Sequence, residues 1–328
     1  MSWASNGKFI LFYFLLVLIA IIINHIALNM TDDYFDFKHS VDKLKPGEKN
    51  PYTGGSGTLS SGALKPSSMF KAFTLCYLVT IAVGFDLTLT RGLPILAFGF
   101  VGVFCAVFYT APPISFGHHG LGELAMLASF GPLIGMGAFY VQAQTLTAEA
   151  FFATLPLGIM LFSMIIINEI PDVEEDRTAG KLTLIARWGK KAGVKLYIIS
   201  WICTYGMIVG ATALHLIPVF ALAALISLPL VYQSIRIVRI HYNNPMLMAP
   251  ANLAMIKAHS VTAFALIAAY SVQGLINHAN AWQLAFALTA LAVAYAPVAI
   301  TLAKASKKET KCLCNSIRAR TYKNGRNR

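Results

Sequence analysis

Two acidic segments hold the side chains best suited to chemistry in this sequence, and each follows a long apolar run. The first comprises Asn29, Asp32, Asp33 and Asp36. The second comprises Asn168, Glu169, Asp172, Glu174, Glu175 and Asp176. In both, an Asn precedes an Asp by four residues, and a further Asp follows three or four residues later. If the apolar helices continue through these segments, such spacing places the side chains on one helix face.

Carboxylate and amide oxygens gathered in this way predict a binding site for a hard divalent cation. Mg²⁺ is usually held by one or two carboxylates together with the phosphates of a substrate. Five of the 14 Asp and Glu residues lie within 32–48 and another five within 169–176. Because the chain has few acids and gathers most of them in two places, we predict a membrane enzyme that acts on a diphosphate.

Apolar helices are the elements that must position these side chains. Of the 328 residues, 57% are hydrophobic and 12% are charged, whereas soluble domains carry about 25% charged residues. A transmembrane helix needs about 20 mostly apolar residues. Nine segments are candidates, at 8–28, 69–85, 92–109, 121–142, 150–170, 194–213, 218–235, 252–275 and 281–303. The predicted fold class is all-α, a polytopic transmembrane helical bundle of about nine helices.

The basic residues predict how this bundle is oriented. With nine crossings, 24 of the 26 Lys and Arg residues fall on the side that carries both acidic segments, and only Lys8 and Arg91 fall on the other. Positively charged loops tend to stay in the cytoplasm, so we expect the acidic segments to face it. Residues 1–303 are expected to form the transmembrane domain. The tail at 304–328 has nine basic residues and one acid and is expected to be cytoplasmic and disordered.

Basic residues also follow the second acidic segment closely. A diphosphate needs cations around its outer oxygens, and Arg is suited to bidentate phosphate contacts. On this ground Arg177, Lys181 and Arg187 are predicted to bind substrate. The adjacent His118 and His119 diverge in direction along the chain, which favours ordinary interfacial polar residues over a shared metal site.

Several motifs, in order from about residue 8 to about residue 275, carry a resemblance to a known family. The acidic motifs are Asn29-x-x-Asp32-Asp33-Tyr34-x-Asp36 and Asn168-x-x-x-Asp172-x-x-x-Asp176-Arg177. The others are Tyr109-x-x-Pro112-Pro113, Gly120-Leu121-Gly122-Glu123, Gly131-Pro132-Leu133 and Gly180-Lys181-x-Thr183-Leu184-x-x-Arg187-x-Gly189. Together they resemble the UbiA superfamily of intramembrane prenyltransferases. Within it, the chain looks most like the 1,4-dihydroxy-2-naphthoate polyprenyltransferase branch of menaquinone biosynthesis.

The resemblance implies a central cavity that opens to lipid and is capped by cytoplasmic loops. It also implies a reaction in which two Mg²⁺ ions bind the diphosphate of an allylic prenyl donor and help it leave, after which the allylic cation alkylates an aromatic acceptor. Membrane lipid, the prenyl diphosphate and the acceptor are the implied partners, with no nucleic acid. The implied location is a bacterial or archaeal cell membrane, with the active site facing the cytoplasm.

The resemblance also implies roles for individual residues. Metal and diphosphate binding fall to Asn29, Asp33, Asp36, Asn168, Asp172 and Asp176, and the four Asp of this set count as catalytic. The diphosphate oxygens would be contacted by Lys181 and Arg187. Further substrate-binding residues would be Asp42 and Lys45. Near the acceptor or the cation, the implied catalytic residues are Tyr109 and Glu123.

Three features depart from the family pattern. The helix that usually precedes the first acidic helix has no counterpart in this sequence. Asp32 and Glu169 stand where the naphthoate branch commonly has Asn or a small polar residue, and His118-His119 stands where a basic residue is expected. Three alternatives stay open beside the menaquinone-type prenyltransferase. They are an inactive homologue, a transporter, and another acceptor such as a quinone precursor, a tetrapyrrole or a glycerophosphate ether. The acids lie at helix ends, whereas transporters place them near the midplane, which disfavours the transporter.

Overall fold

In the computed structural model, the structure describes residues 1–39, 50, 52, 55–278 and 289. The described residues form helices and connecting segments, with no strand among them, which confirms the all-α fold class. All of them except residue 289 belong to one compact unit, Met1–Asn280. The helices are α1 (Ser2–Asn6), α2 (Leu11–Lys38), α3 (Pro66–Arg91), α4 (Pro94–Phe108), α5 (Gly122–Ala128), α6 (Ile134–Ala143), α7 (Ala148–Thr178), α8 (Leu184–Trp188), α9 (Lys190–Ala213), α10 (Leu228–His241) and α11 (Pro245–Asn277).

Seven helical stretches within the described residues are long and apolar enough to cross a membrane. They are Leu11–Lys38, Pro66–Arg91, Gly122–Ala143, Ala148–Thr178, Lys190–Ala213, Val219–His241 and Pro245–Asn277. An eighth apolar helix, α4, has 15 residues and is shorter than a typical span. Eight of the nine predicted segments therefore fall on helices. The ninth, at 281–303, and the tail at 304–328 lie outside the described residues, residue 289 apart.

The helices that carry the acidic segments continue through them. The α2 helix ends at Lys38 and the α7 helix ends at Thr178, so both acidic segments are helical. Polar side chains fix where several helices begin. The Thr147 hydroxyl accepts a hydrogen bond from the backbone N–H of Ala150 at the start of α7, and the Asn244 side chain accepts one from Leu247 at the start of α11. Such caps satisfy N–H groups that have no partner inside the helix.

The core lies around α7, while α2 lies at the periphery. In the most apolar window of α7, 61% of the residues are buried, compared with 11% for α2. The α7 side chains Met160, Ile166 and Ile170 are fully buried and belong to one core cluster with Tyr197 and Trp201 of α9. The exposed apolar surface of α2 suits a helix that faces lipid, since lipid tails are as apolar as the side chains themselves.

The span formed by α5 and α6 is interrupted at its centre. A π-helical turn, Ser129–Leu133, joins the two helices and contains Pro132, which has no backbone N–H to donate. At this level Gly131 meets Gly158 of α7. A Cβ atom added to Gly158 would lie 2.3 Å from the carbonyl oxygen of Leu127, and one added to Gly131 would lie 2.8 Å from the Gly158 Cα. The two spans therefore touch backbone to backbone.

Arg91 is one of the two basic residues predicted on the side opposite the acidic segments. Its Nε donates a 2.7 Å hydrogen bond to the carbonyl of Val141, and its Nη2 donates a 3.1 Å bond to the carbonyl of Gln142. Its guanidinium also lies 4.7 Å from the centre of the Tyr13 ring. Arg91 thus caps the C-terminal carbonyls of α6, where a positive charge is favourable.

Candidate active site

The first acidic segment is joined to the loop after α7 by a buried ion pair. Asp36 is 6% exposed, and its Oδ2 accepts a 2.9 Å hydrogen bond from Lys181 Nζ. Its Oδ1 lies 3.4 Å from Nε2 of His118. Residues about 80 and 145 positions apart therefore meet at the end of α2. His118 therefore contacts an acid of the candidate site, whereas its sequence context favoured an ordinary polar residue at the membrane interface.

The two acids that precede Asp36 contact different segments. Asp32 Oδ1 accepts a 2.5 Å hydrogen bond from the Thr110 hydroxyl. Asp33 Oδ1 accepts a 2.9 Å hydrogen bond from the backbone N–H of Ser56. The end of α2 is therefore enclosed by the segment that follows α4 and by the segment that precedes α3. Asn29 lies one turn below Asp33 and is exposed.

Lys181 lies between the two acidic segments. Burial alone would lower the pKa of the Lys181 ammonium group, but the carboxylates of Asp36, Asp32 and Asp176 raise that pKa well above its usual value. Two of these carboxylates belong to α2 and the third to α7. Asp176 is buried and Asp172, one turn earlier, is half-buried. One protonated side chain therefore interacts with acids of both predicted motifs.

Tyr109 lies beside the same acids, where two glycines make room for its ring. A Cβ added to Gly122 would lie 2.9 Å from the Tyr109 ring, and one added to Gly117 would lie 3.3 Å from it. Burial raises the pKa of the Tyr109 hydroxyl, and the negative charge of Asp32 raises it further. The phenol is therefore protonated at neutral pH and can donate a hydrogen bond.

Glu123 anchors the start of α8. It is 1% exposed, and its Oε1 accepts a 2.6 Å hydrogen bond from the backbone N–H of Leu184. The Glu169 side chain interacts with Glu123, and neither Oε2 atom accepts a hydrogen bond from the described residues. The buried Glu123 and Glu169 carboxyl groups thus lie together, with Tyr109 in electrostatic contact with both.

The two predicted phosphate-binding arginines bind backbone carbonyls. Arg177 Nε donates a 2.5 Å hydrogen bond to Ala186. Arg187 donates from Nε to Leu182 and from Nη2 to His119, at 2.9 and 3.2 Å. Both side chains are exposed. In the structure they order the segment that carries Lys181, and a role toward substrate stays a prediction.

The half-buried Asn168 accepts a hydrogen bond from a pair of buried amides that the sequence analysis did not predict. Asn252 Nδ2 donates a 2.7 Å hydrogen bond to Asn168 Oδ1, and Asn50 Nδ2 donates a 3.2 Å bond to Asn252 Oδ1. Asn252 lies on α11, 84 positions from Asn168. A signal was present, since a polar side chain inside an apolar span is costly and often functional.

The acidic ends of α2 and α7 have the donor chemistry that suits Mg²⁺. Their oxygens are carboxylates and amides, the hard ligands that this ion prefers. Within the ranges that the structure describes, no three His, Cys, Asp or Glu side chains converge into a ready-made metal site. Mg²⁺ commonly takes one or two carboxylates and completes its shell with substrate phosphates, so the residues fit a metal that binds with a diphosphate. Asp42 and Lys45 lie outside the described residues.

An apolar cavity of about 540 Å³ lies among the spans on the membrane side of the acidic end of α2. It is lined by α2, α3, α4 and the α5–α6 span, and it begins at Leu28, one turn before Asp32. Its walls include Phe85, Leu96 and Phe104. Phe85 and Leu96 are exposed, so the cavity opens sideways between helices. Such a space can accept an extended apolar chain.

The amino-acid sequence matches one protein family and several of its members. The profile of the UbiA prenyltransferase family matches residues 1–256. The 1,4-dihydroxy-2-naphthoate octaprenyltransferase of Bacillus subtilis is 24% identical over 226 residues, which cover 69% of this chain and 71% of that protein. The 2-carboxy-1,4-naphthoquinone phytyltransferase of Synechocystis is 29% identical over 53% of this chain and 57% of that protein. The 1,4-dihydroxy-2-naphthoate octaprenyltransferase of Escherichia coli is 30% identical over 54% of this chain and 57% of that protein. The matched region thus spans a little more than half the length of the second and third relatives.

Proposed function

This chain belongs to the UbiA prenyltransferase family and is a prenyltransferase, and we propose that it transfers a polyprenyl group from an allylic prenyl diphosphate to 1,4-dihydroxy-2-naphthoate or a closely similar ring. The observation that carries the proposal is the position of Lys181, which interacts with carboxylates of both acidic motifs at the end of α2, the helix whose preceding turns line the apolar cavity. The diphosphate of a prenyl donor would lie near the charged side chains, and its isoprenoid chain would lie among the apolar ones.

The diphosphate is proposed to bind between the two acidic motifs. The residues that would hold it with two Mg²⁺ ions are Asn29, Asp33, Asp36, Asn168, Asp172 and Asp176. Bound Mg²⁺ would neutralise the charge that develops on the departing diphosphate. Lys181 supplies a fixed positive charge at the same end of the bundle, close to where the outer phosphate oxygens would lie.

The isoprenoid chain is proposed to lie in the apolar cavity. When the bond between the first prenyl carbon and the diphosphate oxygen breaks, the oxygen keeps the electron pair and an allylic cation remains. The apolar walls keep water away from that cation. A carbon of the electron-rich ring supplies the pair for the new carbon–carbon bond. That carbon then loses a proton, or its carboxylate as CO₂, and the bonding pair left behind restores the aromatic ring. The Tyr109 hydroxyl, which its raised pKa keeps protonated, is proposed to orient the acceptor by donating a hydrogen bond.

The reaction is proposed to occur at the cytoplasmic face of a bacterial or archaeal cell membrane. The predicted charge asymmetry supports that orientation, because the side of the bundle that carries both acidic segments also holds 24 of the 26 basic residues, in its loops and in the tail. Both substrates would then reach the site from the cytoplasmic side. The prenylated product would leave into the bilayer through the lateral opening of the cavity.

The test is an assay of the purified protein with labelled prenyl diphosphates, Mg²⁺ and a panel of aromatic acceptors. We expect product with dihydroxynaphthoate, no product after chelation of the metal, and at least a 100-fold loss in the variants Asp33→Ala and Asp172→Ala. If product forms only with a benzoquinone precursor, a tetrapyrrole or a glycerophosphate ether, the proposed acceptor is wrong and the proposed prenyl transfer stands. Full activity of both Asp variants would contradict the proposed diphosphate site.

A further inference from the structure

Three amide side chains join the segment before α3 to the second acidic motif through α11. Tyr52 donates its backbone N–H to Asn50 Oδ1 at 3.0 Å, and the row continues from Asn50 to Asn252 and from Asn252 to Asn168. Asn50 and Asn252 are each 1% exposed. Buried amides need their partners, because an unmatched polar group inside a protein costs about 1–3 kcal/mol.

The direction of these hydrogen bonds is set by the backbone group at one end. An N–H of the main chain can only donate, so the atom of Asn50 that faces Tyr52 must be the oxygen. The NH₂ group of Asn50 then faces Asn252 and must meet its oxygen. By the same step, the NH₂ group of Asn252 faces Asn168 and meets Oδ1. All three amides are therefore locked in one orientation.

This orientation decides what Asn168 can offer to a ligand. A carbonyl-type oxygen has two lone pairs, and Asn252 occupies one of those on Asn168 Oδ1. The second lone pair and the Nδ2 hydrogens remain. Asn168 lies one turn before Asp172 on α7, so its amide is held at a fixed rotation beside the second acidic motif.

We propose that Asn252 is a positioning residue for the diphosphate site, which acts by fixing the rotation of the Asn168 amide. The inference rests on the proposed function, since Asn168 must take part in binding the metal–diphosphate group. Residues that orient metal ligands from outside typically change affinity by 10–100-fold when they are replaced. Asn50 is the matching orienting group for Asn252.

The test measures binding of Mn²⁺ with inorganic pyrophosphate to the full-length protein, by the electron paramagnetic resonance signal of free Mn²⁺, alongside steady-state kinetics. In Asn252→Ala we expect affinity to fall about 10-fold, with KM for the acceptor unchanged. In Asn252→Asp the volume is kept but the donor is lost, so Asn168 should turn its NH₂ group toward the new carboxylate and affinity should fall at least as far. Asn50→Ala should reduce affinity about threefold.

A double-mutant cycle separates positioning from a general loss of stability. If Asn252 acts through Asn168, the variant with both Asn168→Ala and Asn252→Ala should bind within twofold of Asn168→Ala alone. If instead the fold-losses in affinity of the two single variants multiply in the double variant, the proposal is overturned. An unchanged affinity in Asn252→Ala would overturn it as well.

Thr262→Val is the matched control, because Thr262 lies on the same helix, is fully buried and shares a 2.7 Å hydrogen bond with Ser227. It should lower the unfolding midpoint without a change in Mn²⁺–pyrophosphate affinity.

If Asn252→Ala does not fold, Asn50→Ala carries the same test from the other end of the row. A wild-type protein that neither binds Mn²⁺–pyrophosphate nor turns over would overturn the proposed function itself, whereas a functional wild type with an additive cycle would overturn only the role of Asn252.

Discussion

Lys181 is the residue at which the two acidic motifs meet, and its role can be tested directly. Removal of one partner from a buried ion pair costs about 3–5 kcal/mol, because a charge remains without compensation. We therefore expect Lys181→Met to lower stability by about 3 kcal/mol and to reduce kcat/KM for the prenyl donor at least 100-fold. Thermal unfolding and initial-rate kinetics measure the two effects.

A second substitution distinguishes the structural part of this loss from the functional part. When Asp36→Asn is added to Lys181→Met, the uncompensated carboxylate disappears, and stability should recover by about 1–2 kcal/mol. Activity should not recover, because neither the cation nor the carboxylate is restored. Recovery of activity in the double variant would contradict a direct role for this pair.

The raised pKa of Lys181 predicts how the ion pair responds to pH. A Lys with a raised folded pKa contributes its full stability below the unfolded pKa of about 10.4, and the contribution is lost as pH rises through the folded pKa. The stability difference between wild type and Lys181→Met should thus be constant from pH 7 to about pH 10. Denaturant unfolding at several pH values measures it, and a decline that begins near pH 8 would contradict the raised pKa.

Residue types and spacing predicted part of this site. Asp36 and Lys181 were predicted from carboxylate spacing and from basic residues near the second motif, and the structure joins them. Asn252 was not predicted: its place inside an apolar span could have marked it, but its partner lies 84 positions away and nothing in the local spacing joins the two. The backbone contacts of Arg177 and Arg187 also depend on how two loops pack, which periodicity does not encode.

At the scale of elements, the contact between Gly131 and Gly158 controls how closely two spans pack. We expect Gly158→Ala to reduce stability by about 1–3 kcal/mol, because the added methyl group would overlap the Leu127 carbonyl. Gly210→Ala on α9 is the matched control, since nothing lies within 4 Å of its Cβ position. That change should be neutral or stabilising, because Ala favours a helix over Gly by about 1 kcal/mol. Thermal unfolding in detergent compares the two, and equal effects would contradict a close backbone contact.

Helix positions were predictable from hydropathy, but helix ends were not. The apolar run at 150–170 marks α7, and only the spacing of the acids pointed to a helix that continues to Thr178 and carries Asp172 and Asp176 as helical residues. Hydropathy ends where charged residues begin, but backbone hydrogen bonding does not. The π-helical turn at Ser129–Leu133 was likewise absent from the prediction, because it reflects Pro132 and the packing against α7 rather than composition.

At the scale of the whole molecule, the distribution of charge predicts which side of the membrane each loop occupies. We expect a membrane-impermeant maleimide to label Leu146→Cys in intact cells and to leave Asn243→Cys unlabelled, both in a background without the native cysteines. Leu146 lies between α6 and α7, and Asn243 lies between α10 and α11, at opposite ends of the spans. Cell disruption should expose Asn243→Cys as the control. The reverse pattern would place the candidate active site outside the cytoplasm.

Arg91 has opposite effects on membrane insertion and on the stability of the folded bundle. During insertion, a positive charge at this end of the spans disfavours the orientation predicted by the other basic residues. After insertion, the same charge holds the end of α6 through the carbonyls of Val141 and Gln142. A neutral residue at this position would therefore help the nascent chain to thread correctly while it weakened the assembled bundle. A search for better-expressing variants that scored only membrane targeting would discard a residue that the finished protein needs.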